Sequence, residues 1–273
     1  MHVFSLQIIL LLTLLGSLTG FLAGLLGIGG GIILVPLFLW VFPLSGFSPE
    51  IVVHAAFGTS LAIIIPTSVS STLGHRKQGN VDWHQVMPLA SGGLVGAVVG
   101  ASLAAGLSGP WLKGLFGAMQ VLIALKLYFS HPYFPPERSE KIPLRLLLFV
   151  GLSGGAFSAF FGVGGGVIAV PMMIMILHLP IHLAVGNSSA LIVVSSLFGA
   201  LSYVFYGWKL PGLPPFSIGY VNLLVATIVT PFTVLFARFG VRVAGRISHD
   251  KLVNIFAGLL MLIGLRMLVR LLW

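Results

Sequence analysis

Two short polar elements carry most of the chemistry this chain could do. Gly58-Thr59-Ser60 and Gly186-Asn187-Ser188-Ser189 stand inside otherwise apolar stretches. Hydroxyl and amide groups there could hydrogen-bond the oxygens of a small anion without fixing a formal charge. A histidine precedes each element by four residues, His54 before Gly58 and His182 before Gly186. On a helix that spacing is about one turn. An imidazole so placed could couple proton movement to anion movement. The competing uses are ordinary ones: a hydroxyl bonded to its own or a neighbouring helix, and a histidine at the lipid interface. Arg76 and Lys77 could draw anions into a vestibule, although cations in such loops also serve to fix topology.

The second feature is a pair of glycine clusters. Gly27-Ile-Gly-Gly-Gly-Ile-Ile-Leu-Val-Pro36 and Gly162-Val-Gly-Gly-Gly-Val-Ile-Ala-Val-Pro171 agree at seven of ten positions. Both lie in apolar segments too long for one crossing. A straight helix from Leu6 to Phe42 would measure about 55 Å, against a hydrocarbon core of about 30 Å. Gly27, Gly29, Gly30 and Gly31, with Gly162, Gly164, Gly165 and Gly166, supply backbone freedom for a break. Pro36 and Pro171 each remove a helical donor just beyond it. Broken backbone at membrane depth survives only where protein or a watery cavity satisfies it. Close helix packing would explain one such glycine, but two copies of G-x-G-G-G favour interruption. Half-helices present free N–H groups and partial positive charge to anions. The expected site therefore brings both glycine breaks and both polar elements together near the bilayer centre.

The surrounding elements are membrane spans. Of the 273 residues, 58% are hydrophobic and 7% charged, and mean hydropathy is +1.11. A soluble domain carries about 25% charged residues, so a soluble enzyme, a secreted domain and a disordered chain are excluded. Eight apolar segments run at 5–42, 50–73, 84–107, 111–130, 143–178, 182–206, 216–237 and 250–273. They are continuous and rich in Leu, Ala and Gly, which suits helices rather than barrel strands. The predicted class is an all-α, polytopic transmembrane bundle in the cell membrane, with the first apolar stretch retained.

The halves repeat. The glycine clusters match at an offset of 135, and His54-Ala-Ala-Phe-Gly-Thr-Ser60 matches His182-Leu-Ala-Val-Gly-Asn-Ser188 at 128. The second offset also pairs Thr67 and Ser68 with Ser195 and Ser196, and Gly79 with Gly207. Residues 1–130 and 143–273 thus read as two homologous transmembrane repeats joined by a polar linker, 131–142.

G-x-G-G-G-x-x-x-V-P in both halves, each followed by Gly-[Thr/Asn]-Ser, resembles the TauE/SafE family of sulfite exporters. The likeness covers essentially the whole chain, including His75-Arg76-Lys77-Gln78-Gly79-Asn80-Val81-Asp82. It implies transport of sulfite, organosulfonates or related small anions. Asn187 in place of Thr59, and Tyr203-Val204-Phe205-Tyr206 in place of the basic loop, make the halves unequal.

Other classes fare worse. The +9 net charge sits in short loops and helix ends, so nucleic acid is not expected as a partner. With no cysteine there is no thiolate metal or redox site, and neither metal nor cofactor is expected. Gly106-Leu-Ser-Gly109 and Gly151-Leu-Ser-Gly154 resemble a rhomboid nucleophile motif but lack its histidine helix. The glycine clusters lack dinucleotide spacing and an acceptor acid. If all eight segments cross, the cations divide 9:5 between the two sides. If segments one and five are re-entrant, the halves are inverted and the division is 10:4. The expected molecule is a non-enzymatic, alternating-access transporter with partners of small anion, lipid bilayer and protons. An anion channel or a non-transporting scaffold is the alternative.

Overall fold

The structure, a computed structural model, describes residues 6–27, 29–129, 142–208, 210–243, 258, 260–262 and 264–269. The linker at 131–141 and most of segment 250–273 lie outside them, as do Arg138, Lys141, Lys209, Arg246, Lys251 and Arg270.

Nine helices are described: α1 (Leu6–Leu26), α2 (Gly31–Leu44), α3 (Val52–Lys77), α4 (Trp83–Ala105), α5 (Gly109–Phe129), α6 (Leu144–Phe161), α7 (Gly166–Met175), α8 (Ile181–Gly207) and α9 (Leu223–Val243). A two-residue hairpin, β1 (Ser217–Ile218) and β2 (Val221–Asn222), leads into α9. Six described helices are long and apolar enough to cross a membrane: α1, α3, α4, α6, α8 and α9. The chain is thus an all-α polytopic membrane protein. The two overlong apolar segments do divide at their glycines, into α1 with α2 and α6 with α7.

Each division has the same local cause. Gly27 at φ +65° ends α1, and Gly30 at φ +82° opens α2. Gly162 at φ +67° and Gly165 at φ +76° do the same between α6 and α7. A side chain in this left-handed region costs about 1–2 kcal/mol, which glycine avoids. Pro36 then leaves the Ile32 carbonyl without its helical donor, and Gln120 of α5 donates Nε2–H to it at 3.0 Å.

Small residues bring the helices together. Gly92, Gly96 and Gly100 of α4 meet Gly151 and Gly155 of α6 so closely that an added Cβ would strike the backbone carbonyls of Leu148, Leu152, Ala156, Leu89 and Gly93. The contact α1 makes with α9 is of the same kind. Gly20 and Gly24 lie on the carbonyls of Thr233 and Ala237, and Gly240 lies on that of Phe21. Both pairs run parallel, and close backbone approach of this sort is a common way for membrane helices to associate. At the centre α3 and α8 run antiparallel, with Leu61 beside Gly199 and Ser71 bonded to Ser189 at 3.0 Å.

Candidate functional site

The two glycine breaks meet. A Cβ on Gly29 would lie 3.2 Å from the Gly164 Cα, and Ile64 and Ile192 close the contact. Each break also rests on the first turns of a long helix: Gly27 on Val185 of α8, and Gly162 on Phe57 of α3. The breaks are buried, and the first amides of α2 and α7 lack intrahelical acceptors by their position.

The polar elements depart from expectation. α3 and α8 run unbroken through Gly58-Thr59-Ser60 and Gly186-Asn187-Ser188-Ser189, so the amides there belong to the helix ladder. Nor do the two elements meet. Ser71, not Thr59, lies beside Ser189, and the twelve-residue step from Thr59 to Ser71 spans about 18 Å of helix. The sequence pattern pairs these elements, but antiparallel packing of their helices sends them to opposite ends.

At each end the element holds the other half's chain. Thr59 Oγ1 accepts from the Asn222 N–H at 2.9 Å, and Gly58 leaves room for the Tyr220 carbonyl. Asn187 Oδ1 accepts from the Asp82 N–H at 2.9 Å, and its Nδ2 donates to Gln85 Oε1 at 2.9 Å. Gly186 lies against the Asn80 carbonyl. Ser188 Oγ donates to the Gly27 carbonyl at 3.1 Å, tying this element to the first break, whereas Ser60 Oγ is buried and has no partner. Ser189 also back-bonds to Val185 at 3.0 Å.

Sequence reasoning named the first of the segments so held but missed the second and their likeness. Gly79-Asn80-Val81-Asp82 has its counterpart in Gly219-Tyr220-Val221-Asn222. Gly79 and Gly219 share positive φ (+76° and +55°), and the final residue of each segment caps the helix that follows. Gly79 therefore shares its backbone conformation with Gly219, and Gly207, within α8, does not. The longer loop after α8 shifts this match to an offset of 140, beyond the two offsets read above.

The histidines separate as well. His54 is buried, with Nε2 3.2 Å from the Ala104 carbonyl and Nδ1 unpartnered, and its ring stacks on Tyr220 at 5.0 Å. Burial pushes the Tyr220 phenol up from its ordinary range. His182, its sequence counterpart, is exposed at the start of α8. His75, passed over above, is buried and sits 3.1 Å from the Gly24 carbonyl at the end of α1. Arg76 and Lys77 are exposed at the end of α3. Among the described residues no cluster of three metal-ligating side chains occurs.

Both latches, Thr59–Asn222 and Asn187–Asp82, are closed in this conformation. One depression of about 570 Å³ is lined by Phe205, Tyr206, Trp208 and Leu210, and another of about 370 Å³ by Leu10, Thr13, Leu14, Ser17 and Phe232.

The description Sulfite exporter TauE/SafE matches residues 12–267. A "Probable membrane transporter protein" of Haemophilus influenzae is 29% identical over 96% of this chain and 98% of its own length. A relative of the same description from Methanocaldococcus jannaschii is 29% identical over 95% of each chain. One from Xylella fastidiosa is 31% identical over 69% of this chain and 71% of its own. No solved structure matches.

Proposed function

The chain belongs to the Sulfite exporter TauE/SafE family, and on that premise we propose that it is a secondary transporter carrying a small anion by alternating access. The anion is sulfite, an organosulfonate or a related sulfur oxyanion. The contact of the two glycine breaks carries this reading: it sets two helix N-termini, both polarised toward anions, back to back in the core.

Residues 1–130 and 143–273 act as inverted repeats about that contact, with 131–142 as the linker. The antiparallel α3 and α8, and the matched placement of Gly27 on Val185 and Gly162 on Phe57, support inversion. α1 with α2, and α6 with α7, then form hairpins entering from opposite sides. Gly58, Thr59 and Ser60 at one end, and Gly186, Asn187, Ser188 and Ser189 at the other, serve the anion in turn as each latch opens. Arg76 and Lys77 line the vestibule at the second end. His54 is the proton carrier, since it alone of the paired histidines is buried with a free ring nitrogen.

Arg76, Lys77 and Arg242 gather at the Asn187 end, which the positive-inside tendency places in the cytoplasm. The chain has no cysteine, so single substitutions report sidedness directly. Ser48→Cys and Ser108→Cys should react with an impermeant maleimide from outside the cell, and Gln78→Cys only from within. Labelling of all three from one side removes the inverted arrangement. In proteoliposomes, labelled sulfite or sulfoacetate uptake should rise about tenfold when a pH gradient is imposed, a difference equivalent to roughly 1.4 kcal/mol. Uptake indifferent to the gradient dismisses the proton role. Conduction without saturation or counterflow replaces the carrier with a channel.

A further inference from the structure

We infer that the anion is held by the second glycine break, at the start of α7, with Ser60, Ser158, Ser195 and Ser196 as its hydroxyl ligands. This rests on the transporter reading above and assigns its binding site to one of the two breaks.

The two breaks are alike in backbone and unlike in their hydroxyls. Around the first, every counterpart hydroxyl is satisfied. Ser188 Oγ donates to the Gly27 carbonyl at 3.1 Å, and Ser68 Oγ donates to the Ile64 carbonyl at 2.7 Å. Thr67 Oγ1 donates to the Ile63 carbonyl at 2.8 Å and makes a 2.7 Å contact with Thr233. Around the second break the same positions are left open. Ser60, counterpart of Ser188, and Ser196, counterpart of Ser68, are 0% exposed and have no partner. Ser195, counterpart of Thr67, makes only long contacts, 3.3 Å to Ser158 Oγ and 3.4 Å to the Ile192 carbonyl.

Three of these hydroxyls border one place, and Ser196 follows Ser195 on α8. Gly162 abuts the Phe57 backbone, with Ser60 one turn further along α3, and Ser188 shows where a serine at this position reaches: the carbonyl at the start of the break. Ser158 lies behind Gly165, where an added Cβ would approach its Cβ to 2.9 Å, and Ser195 touches Ser158. Ser60, Ser158 and Ser195 thus stand beside the break that opens into the ten-residue α7. Buried polar side chains nearly always find a partner, and an unmet hydroxyl weakens the fold. A bound oxyanion would supply the missing acceptors. The four side chains are neutral donors, which suits an anion with several oxygens, its charge met by hydroxyls and helix amides.

Binding of sulfite, sulfoacetate and sulfate to the full-length protein in lipid nanodiscs tests this, read as ligand-dependent thermal stabilisation. Ser60→Ala and Ser196→Ala should each weaken binding of the preferred anion about tenfold, the loss of one hydrogen bond to a charged group. Their ligand-free melting temperatures should hold or rise, because alanine removes an unpaired hydroxyl. Ser60→Thr should recover most of the affinity, and Ser68→Ala, on the opposite break, should stay within about twofold of wild type. Unchanged binding in both variants, or an equal loss from Ser68→Ala, overturns the assignment while leaving transport intact. A wild-type protein that binds none of the three anions overturns the transport reading and this assignment with it.

Discussion

Gly31→Ala is expected to reduce anion uptake to below about a hundredth of wild type, although alanine is intrinsically the better helix former by about 1 kcal/mol. Gly31 is the first residue of α2 and has ordinary helical φ, so local backbone preference does not protect it. An added Cβ would sit 2.5 Å from the Gly162 carbonyl oxygen and 2.8 Å from the Val163 carbonyl carbon, with the Val163 Cα nearer still. These are backbone atoms of the opposite break and have no rotamer through which to withdraw. Overpacking of this kind costs about 1–3 kcal/mol, and here the displacement falls on the contact that aligns the two half-helices. A melting temperature lower by about 5–10 °C should accompany the loss. If Gly31→Ala transports at more than half the wild-type rate, the contact between the breaks is not where the anion passes.

Asn187→Ala should open the cytoplasmic end by a factor of about 30. It deletes the acceptor of the Asp82 N–H and the donor to Gln85 Oε1 together. Two hydrogen bonds at roughly 1 kcal/mol each amount to about 2 kcal/mol of bias toward the open state. Ser71→Cys is a suitable reporter, because Ser71 is buried beside Ser189 behind that latch and the background contains no thiol. Its maleimide labelling from the cytoplasmic side should quicken about 30-fold in the Asn187→Ala background. Thr59→Ala loosens the other end, where a single bond joins Thr59 to Asn222. It should slow that labelling by about fivefold, since alternating access opens one end at the expense of the other. A rate within threefold of the parent in both backgrounds would deny these bonds any role as gates.

Composition and segment length made the helical membrane class legible, because too few charges exist to coat a soluble domain. The breaks were legible too, since G-x-G-G-G followed by a proline removes both the side-chain restraint and the donor a continuous helix needs. Gly58-Thr59-Ser60 and Gly186-Asn187-Ser188 were found as a pair, yet they do not meet. Spacing gives position along a helix but not the direction of its partner, and antiparallel packing of α3 against α8 separates the two turns. Asn222, and its likeness to Asp82, escaped notice because a longer loop displaces the Gly-x-Val-[Asn/Asp] match. His54 and His182 looked equivalent in sequence, but only His54 has Tyr220 and Ala104 packed around it. Neighbours of that kind come from remote parts of the chain.

The pairing of α1 with α9 and of α4 with α6 bears on biogenesis. When the ribosome has released only the leading half, the glycine ridge of α1 has nothing to nest against. Its mate emerges some two hundred residues later. Spans can be inserted one by one, but α1 and α4 must wait in lipid with carbonyl-fitting grooves vacant until the trailing half arrives. Assembly is thus deferred to the end of synthesis, and a nascent chain stalled at the linker would be handed to quality-control proteases rather than persist as half a carrier.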